Sequence, residues 1–451
     1  MPQSYRFADT IRRLLRRNAT PNIHKILSRT HPADLAQVLN QFVPMEQIRL
    51  IAMSGDNDKQ AEVLSSLPLN HAVDLVPEMN LAQVVKIISA MSGDDMADLL
   101  GALDEELASK IIAALPDEES DEVAELLRYD EATAGGIMSP DVLAIPEDVT
   151  AQEAILIVQE SPDVEMAFYI YVTNDHDSLT GVISLRQLVT SRPEMLMKDI
   201  MNPQVVSVKT DEDQEEVARI VSRYDFLAVP VVDETNTLVG VVTVDDVIDV
   251  IREEATEDIL KMAGAGENYD DRRSILGSVW QRAPWLFAAL VGGIITSFVI
   301  SYYEETLAKY LPIVAFIPVI IGMAGNVGTQ SLAIVVRGLA TRRIDVKQFW
   351  KVVSSEIMVA MLLGALYGLL LGGMGFLQFS NGEVSNATLL AITVGGSSAI
   401  AMVIAALVAT AMPMLFAKLH IDPAVATGPF VTTAIDIIGV LVYFNLVTAV
   451  V

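Results

Sequence analysis

The chain has 451 residues, 52% of them hydrophobic, and its 58 acids against 30 bases give a formal net charge of −28. The averages conflict until the chain is split: residues 276–451 carry seven acids and eight bases, leaving 51 acids and 22 bases in the first 275. An apolar half joined to a strongly acidic half excludes a single soluble globule, a disordered chain and a nucleic-acid binder, which needs clustered cations. With no cysteine, thiolate metal sites, disulfides and thiol nucleophiles are excluded as well. The histidines His24, His31, His71, His176 and His420 are scattered.

The Arg-rich stretch at 12–17 is not followed by an apolar signal region, so it reads as a basic first helix with no cleaved signal peptide. Residues 1–130 read as all-helical. Short amphipathic segments are punctuated by Pro32, Pro44, Pro68, Pro77 and Pro116. The leucine spacing predicts stacked helical hairpins, a solenoid of either hand.

An internal repeat fills 138–256. Ile137-Met138-Ser139-Pro140 is echoed by Ile200-Met201-Asn202-Pro203, 63 residues on. Each copy continues with a short strand, an acidic helix start, a helix, an apolar strand (168–172 and 228–232), a turn and a second strand (179–183 and 238–242). A helix closes each copy. Two β-α-β units of this size bury their sheets by pairing.

From 245 to about 265 the pattern predicts one helix leading toward the apolar half. Ile248, Ile251, Ala255, Ile259 and Met262 form an apolar stripe at helical spacing. Another face presents Asp246, Asp249, Glu253 and Glu257, and Glu254 with Asp258 forms a further like-charged pair. Each such pair weakens a helix by about 0.2–0.5 kcal/mol, and no base is expected at a spacing that relieves them. A solvated face is the plain reading of a charge run. In a region this acidic, cation binding is the alternative. Carboxylates without Cys or clustered His select hard cations such as Mg²⁺ or Ca²⁺, and the spacing is no EF-hand loop.

A helix needs about 20 apolar residues to span a bilayer. Runs at 284–303, 311–336, 357–382 (with Glu356 just before it), 384–417 and 423–451 (interrupted only by Asp436) predict five spans. Arg272, Arg273 and Arg282, then Arg337, Arg342, Arg343, Lys347 and Lys351, then Lys418 all fall on one side, and Glu304, Glu305 and Glu383 on the other. Basic loops stay inside, which predicts a cytoplasmic acidic half and an external C-terminus. The second span carries Pro318, Gly322 and Gly325-Asn326-Val327-Gly328-Thr329-Gln330. Polar residues and loosened backbone at that depth are tolerated where protein or a water-filled cavity covers them. Tight packing through small residues is the other reading, and it is the expectation for Gly364, Gly368 and Gly372. Asp436 is the sharpest signal. A carboxylate near a span centre costs about 2.5–3.5 kcal/mol on insertion scales and usually faces an ion or proton path. Capping by Thr432, Thr433 or a lysine is its structural alternative.

Glu253-Glu-Ala-Thr-Glu-Asp258, Gly325-Asn-Val-Gly-Thr-Gln330, Asp422-Pro-Ala and Asp436, in that order, resemble the MgtE-type magnesium channel family over nearly the whole chain. The resemblance implies a multidomain membrane protein. Its parts are an N-terminal all-α superhelical domain (1–130), an α/β pair of cystathionine-β-synthase (CBS) motifs (137–199 and 200–256), a connecting plug helix (245–275) and a five-span α-helical transmembrane pore domain (276–451). It further implies a homodimer in a bacterial inner membrane that conducts Mg²⁺ along its twofold axis. Asp436 matches the pore carboxylate and Asp422 a position near the cytoplasmic mouth, with Asn326, Thr329, Gln330 and Thr432 as pore-lining candidates. Regulatory Mg²⁺ is implied at Glu62, Asp94 and Asp98 in the N-domain, at Asp213, Glu215, Asp225, Asp246 and Asp249 in the CBS pair, and at Glu254, Glu257 and Asp258 on the plug helix. High cytoplasmic Mg²⁺ would bridge these acids and hold the pore shut.

CBS pairs often bind adenine nucleotides through a Ser/Thr-x-x-Asp pattern whose Asp holds the ribose. The second copy keeps Thr243-Val-Asp245-Asp246, whereas the first reads Ser184-Leu-Arg186-Gln187. ATP is therefore a cofactor in question, with Tyr169, Arg186, Phe226 and Pro230 as its candidate contacts. The runner-up function is a secondary divalent-cation transporter coupled to H⁺ or Na⁺. A membrane-anchored nucleotide sensor without transport would leave Asp436 and the polar second span unexplained. No enzyme is expected, since there is no P-loop, no Gly-x-Ser-x-Gly and no His beside a candidate nucleophile.

Overall fold

The structure, a computed structural model, describes residues 3–161, 168–265, 275–309, 311–380, 387–424 and 428–450. Arg272, Arg273 and Glu383, three of the orienting charges, and the first residues of the run starting at 384 lie outside them. The chain divides into two compact units, Met1–Arg252 and Glu253–Val451.

Among the described residues of the first unit, ten helices run between Gln3 and Leu126. Most pack on the next but one, while Thr20–Leu27 packs on Gln3–Arg16 and Pro44–Ile51 on Asn57–Ser65. Gln3–Arg16, Pro32–Leu39, Asn57–Ser65, Leu81–Ile88 and Glu105–Ile112 make one layer; Leu69–Leu75, Gly93–Ala102 and Asp117–Leu126 stack in a second. This is the expected helical stack. The prolines do what their chemistry allows. Pro32 and Pro44 occupy first-turn positions, where no N–H is needed. Pro68 and Pro116 precede helices, and Pro77 sits in a 3₁₀ turn. Leu27, Leu35, Leu39, Leu50, Leu75, Ile87 and Ile111 are fully buried between the layers. One polar group joins them: buried Gln47 donates to the carbonyls of Leu39 (2.7 Å) and Phe42 (2.9 Å), and its Oε1 lies 3.0 Å from His71 Nε2.

The repeat folds as two three-stranded sheets of identical topology. The first holds β1 (Ala144–Pro146), β2 (Tyr169–Thr173) and β3 (Leu179–Ser184); the second holds β4 (Val208–Lys209), β5 (Ala228–Val232) and β6 (Leu238–Thr243). In each the first pairing is parallel and the second antiparallel, with a register shift one residue before the end of the middle strand. The two copies exchange their leading segments. Ser139 exchanges backbone hydrogen bonds with Val241 of the second copy (2.8 and 2.9 Å), and Asn202 does the same with Val182 of the first (2.8 and 3.0 Å). Glycine is required where this crossing is closest. A Cβ on Gly240 would lie 2.8 Å from Met138 Sδ, and one on Gly181 would run into Met201. The methionine of each Ile-Met-x-Pro motif thus rests on the glycine of the other copy's last strand.

One helix, Val244–Met262, follows β6. It matches the helix read from 245 to about 265, and residues 266–274 of the 245–275 segment lie outside the described residues. Gly264 at φ 64° closes the helix, with Ala265 N–H reaching back to Leu260 O at 2.9 Å. Its buried face is not the isoleucine stripe. Val247 and Val250 enter the core of the second sheet, while Ile248, Ile251 and Ile259 are exposed. The valines continue in phase from β6 and win because that sheet lies beneath them.

Among the described residues of the second unit, five helices are long and apolar enough to cross a membrane: Ile275–Tyr302, Ile313–Ala340, Val346–Gln378, Ala387–Lys418 and Phe430–Val450. The fourth is central, packed on the second, third and fifth, and the first packs on the fifth. Gly364 faces Ala399, Gly368 faces the backbone of Gly395, and Gly372 faces Ala391 O. The small-residue series is therefore a packing seam that lets the third and fourth helices approach to backbone contact.

Candidate cation sites

The first candidate lies within the first unit, where the helical stack meets the second β-α-β copy. A cavity of about 130 Å³ is lined by Glu62, Asp94, Asp95, Asp141, Asp245 and Asp246, with Ser92, Ser139 and Thr243 between them. Its acids come from separate elements: Glu62 from Asn57–Ser65, Asp94 and Asp95 from the first turn of Gly93–Ala102, and Asp245 and Asp246 from the first turn of Val244–Met262. Four of these acids stand in the first turns of two helices, where the helix dipole offsets part of their charge. Thr243 Oγ1 donates to Asp246 Oδ2 at 2.5 Å and also to Asp245. Burial first, then Asp94, Asp245 and Asp95, push the Asp246 carboxyl up to about 7, against the Thr243 hydrogen bond. Burial and Asp95 raise Asp94, and one of its carboxylate oxygens is buried with no hydrogen-bond partner among the described residues. Burial and then Asp141, Glu119 and Asp94 raise Glu122 beside it. A hydrated divalent cation fits this chemistry: surplus acceptors, an orphaned oxygen and room for water. Among the described residues no three Asp, Glu or His side chains group tightly enough to hold a bare ion.

The second candidate lies within the second unit. Lys261, with 15% of its side chain exposed, pairs with Glu257 one turn back and with Asp422 Oδ2 at 2.8 Å. The expectation that no base relieves the acidic run is therefore wrong, because Lys261 follows Glu257 at i+4 and Arg252 pairs with Asp249 at 3.2 Å. Burial works against the Lys261 ammonium, yet the hydrogen bonds to Asp422 and Glu257 outweigh it and hold its pKa above the ordinary lysine value. Asp258 is raised by burial, then by Asp422 and Glu254, with Lys261 and Arg337 opposing.

The third candidate is within the membrane helices. Asp436 lies two turns inside Pro429–Val450, half-buried, with no hydrogen bond or ion pair among the described residues. Thr432 Oγ1 instead donates to Gly428 O at 3.3 Å, and Thr433 packs on Gly292. The second and fifth helices cross where Gly328 meets Ile435. Near that contact, Gly322, Asn326, Thr329 and Gln330 of the second helix are exposed in the single chain. A Cβ on Gly322, Gly325 or Gly439 would meet nothing within 4 Å. In a single copy the polar stripe of the second helix is exposed, and Asp436 stands half-buried on the fifth helix packed beside it.

Known proteins decide the family. A family model described as the MgtE divalent cation transporter matches residues 317–446, one of the MgtE intracellular N domain matches 30–132, and CBS domain models match 134–194 and 197–253. The magnesium transporter MgtE of Bacillus subtilis is 33% identical over 437 residues, covering 97% of this chain and 95% of that one. The chain belongs to the MgtE family. The magnesium transporter MgtE of Thermus thermophilus is 40% identical over 328 residues, covering 72% of this chain and 71% of that one. Among solved structures, the cytosolic domain of the Mg²⁺ channel MgtE in complex with ATP matches with a TM-score of 0.52 at 36% identity, over 54% of this chain and 99% of that one. The soluble part of a magnesium transporter matches with a TM-score of 0.52 at 31% identity, over 56% and 100%.

In this MgtE family member, the first cavity unites Glu62, Asp94 and Asp246 from the expected set. It adds Asp95 and Asp245, each next in sequence to an expected ligand, and Asp141, which only the fold brings there. Asp98, Asp213, Glu215, Asp225 and Asp249 do not line it. Asp213 caps Gln214–Tyr224 through Glu215 N–H at 2.8 Å, and Asp225 ends that helix at φ 54°. Glu356, expected just outside the third span, sits two turns inside Phe349–Ser380 and accepts from Ser331 Oγ at 2.8 Å. Of the nucleotide candidates, Tyr169 packs against the cluster between the two sheets, Pro230 is buried in β5, Phe226 stacks on Tyr224 with ring centres 5.3 Å apart, and Arg186 is exposed. Gln187 is occupied locally, its Oε1 taking Ser184 N–H (3.2 Å) and Oγ (2.9 Å) in a capping box.

Proposed function

We propose that this MgtE family member conducts Mg²⁺ across the membrane as a homodimer and closes when cytosolic Mg²⁺ fills its acidic sites. One observation carries the reading: in a single copy Asn326, Thr329 and Gln330 of the second helix are exposed, and Asp436 of the adjoining fifth helix is half-buried with no hydrogen bond or ion pair among the described residues. Polar groups at membrane depth need protein or water over them. A second copy related by a twofold axis supplies both and doubles the carboxylate. Mg²⁺ sheds water reluctantly and is held by one or two carboxylates through its hydration shell, which suits an axial pair of Asp436 side chains and a wide polar lining. The relatives named as magnesium transporters support the choice of ion.

Gating follows from the acids. With Mg²⁺ bound among Glu62, Asp94, Asp246 and their neighbours, the helical stack and the second β-α-β copy are held together; without it, repulsion among six carboxylates favours separation. Glu254, Glu257, Asp258 and Asp422 play the same part around the connecting helix. Asp98, Asp213, Glu215, Asp225 and Asp249 enter as sensor positions on family resemblance alone. The ion shifts the equilibrium only by its differential affinity for the two states. No step is assigned to ATP, because Gln187 lacks the ribose-binding carboxylate and spends its amide oxygen on the helix cap. The reading is tested by Mg²⁺ flux into proteoliposomes with internal Mg²⁺ varied. Wild type should pass non-saturating flux that falls as internal Mg²⁺ rises, and D436A should pass none. Saturable, proton-coupled flux would instead favour a secondary transporter.

A further inference from the structure

The connecting helix ends against its own unit by a contact built from the chain's own side chains. Its last residue, Met262, packs against the core of the membrane helices. The backbone of Lys261 and Met262 lies beside Gly428, where an added Cβ would sit 3.4 Å from both carbonyl oxygens. Between these contacts the Lys261 ammonium joins Glu257, on its own helix, to Asp422, 161 residues away in the segment before the fifth helix. Asp422 is held in place from the other side, its Oδ1 accepting Ala424 N–H at 2.8 Å. Asp258 and Glu254 crowd the same point, and Arg337 faces it from the end of the second helix.

We propose that Lys261 is a built-in counter-ion that latches the connecting helix to Asp422 without a bound cation. An ammonium between two carboxylates does what a bridging ion does: it cancels their repulsion and ties two segments together. Because it is covalently attached, its effective concentration does not fall when free Mg²⁺ falls. The latch gives the gate a metal-independent hold, so that Mg²⁺ adds to a docking equilibrium that is already biased. It also competes with the ion for Glu257 and Asp422, so removing it makes docking depend more steeply on Mg²⁺. The consequence for flux rests on the gating reading above; the latch itself does not.

Hydrogen exchange read by mass spectrometry on the full chain in lipid nanodiscs separates the two. In chelator, peptides covering 253–265 should be protected in wild type and in K261R. They should exchange about tenfold faster or more in K261M and D422N, since opening of a docked segment sets its exchange rate. Added Mg²⁺ should restore protection in K261M. The charge exchange K261D with D422K should restore it without Mg²⁺, which guards against a variant that is merely misfolded. Equal protection of K261M and wild type in chelator would overturn the proposal, as would a charge exchange no better than K261D alone. If wild-type flux ignores internal Mg²⁺, the gating reading fails, and the exchange data still decide the latch.

Discussion

Asp246 offers the most quantitative test of the acidic cavity. Its pKa is raised from 3.8 to about 7 by burial and by Asp94, Asp245 and Asp95. At about 1.4 kcal/mol per unit, that shift corresponds to about 4 kcal/mol of disfavoured ionisation, and water penetration and relaxation at this half-buried site reduce it to about 2. The sign follows from linkage. The folded-state pKa lies above the unfolded value, so the cost is absent below pH 3.8, grows as pH climbs toward about 7 and is complete above it. Asp246→Asn removes the charge and keeps an acceptor for Thr243. It also loses a favourable charge in the first helical turn, worth about 0.3–1 kcal/mol. Burial and repulsion outweigh that loss, leaving a net stabilisation of about 1 kcal/mol or more, or about 2–4 °C in melting temperature for a unit of this size. Calorimetry on residues 1–252 in chelator should show D246N melting above wild type at pH 8 and level with it near pH 4. Mg²⁺ should raise wild type more than the variant. A D246N that melts at or below wild type at pH 8 in chelator would refute the electrostatic account of the cavity.

Three further outcomes follow from packing. Gly368→Leu drives a side chain into Gly395 O, 2.7 Å from the added Cβ, and should abolish recovery of folded protein from membranes, whereas Gly373→Leu meets open space and should be recovered normally. Ser331→Ala leaves Glu356 without its 2.8 Å donor, at a cost of about 1–3 kcal/mol, and should lower the melting temperature in detergent. Gln47→Leu strands the carbonyl of Phe42 and takes one of two donors from Leu39 O, which keeps the Phe42 N–H at 2.9 Å; a loss of about 1–3 kcal/mol is expected in chemical unfolding of residues 1–252.

Much of the architecture is written locally. Uncharged runs long enough to span a bilayer declare five helices, and apolar alternation between turns declares the strands of both copies. Where two local patterns compete, the fold chooses. The connecting helix carries an isoleucine stripe and a valine stripe, and only the sheet beneath it determines that Val247 and Val250 go inward. Hydrophobic periodicity measures amphipathicity without naming the partner. The cation sites are legible to the same degree. Asp436 announces itself as a charge in an apolar run. Glu356 hides because it stands at the edge of its run while the helix continues past it toward the N-terminus. Lys261 is visible four residues after Glu257, but its second partner is remote in sequence. Asp95, Asp141 and Asp245 become cavity residues only when three elements converge.

The central claim is that Asp436 from two copies faces one axis. The chain has no cysteine, so Asp436→Cys introduces a single thiol, and mild oxidation of that variant in native membranes reads the distance between copies directly. The account predicts a disulfide-linked dimer in high yield, lost on reduction, with little from Cys placed at Leu369 on the outer face of the third helix. A membrane-inserted Asp436→Cys chain that stays monomeric under oxidation would contradict it.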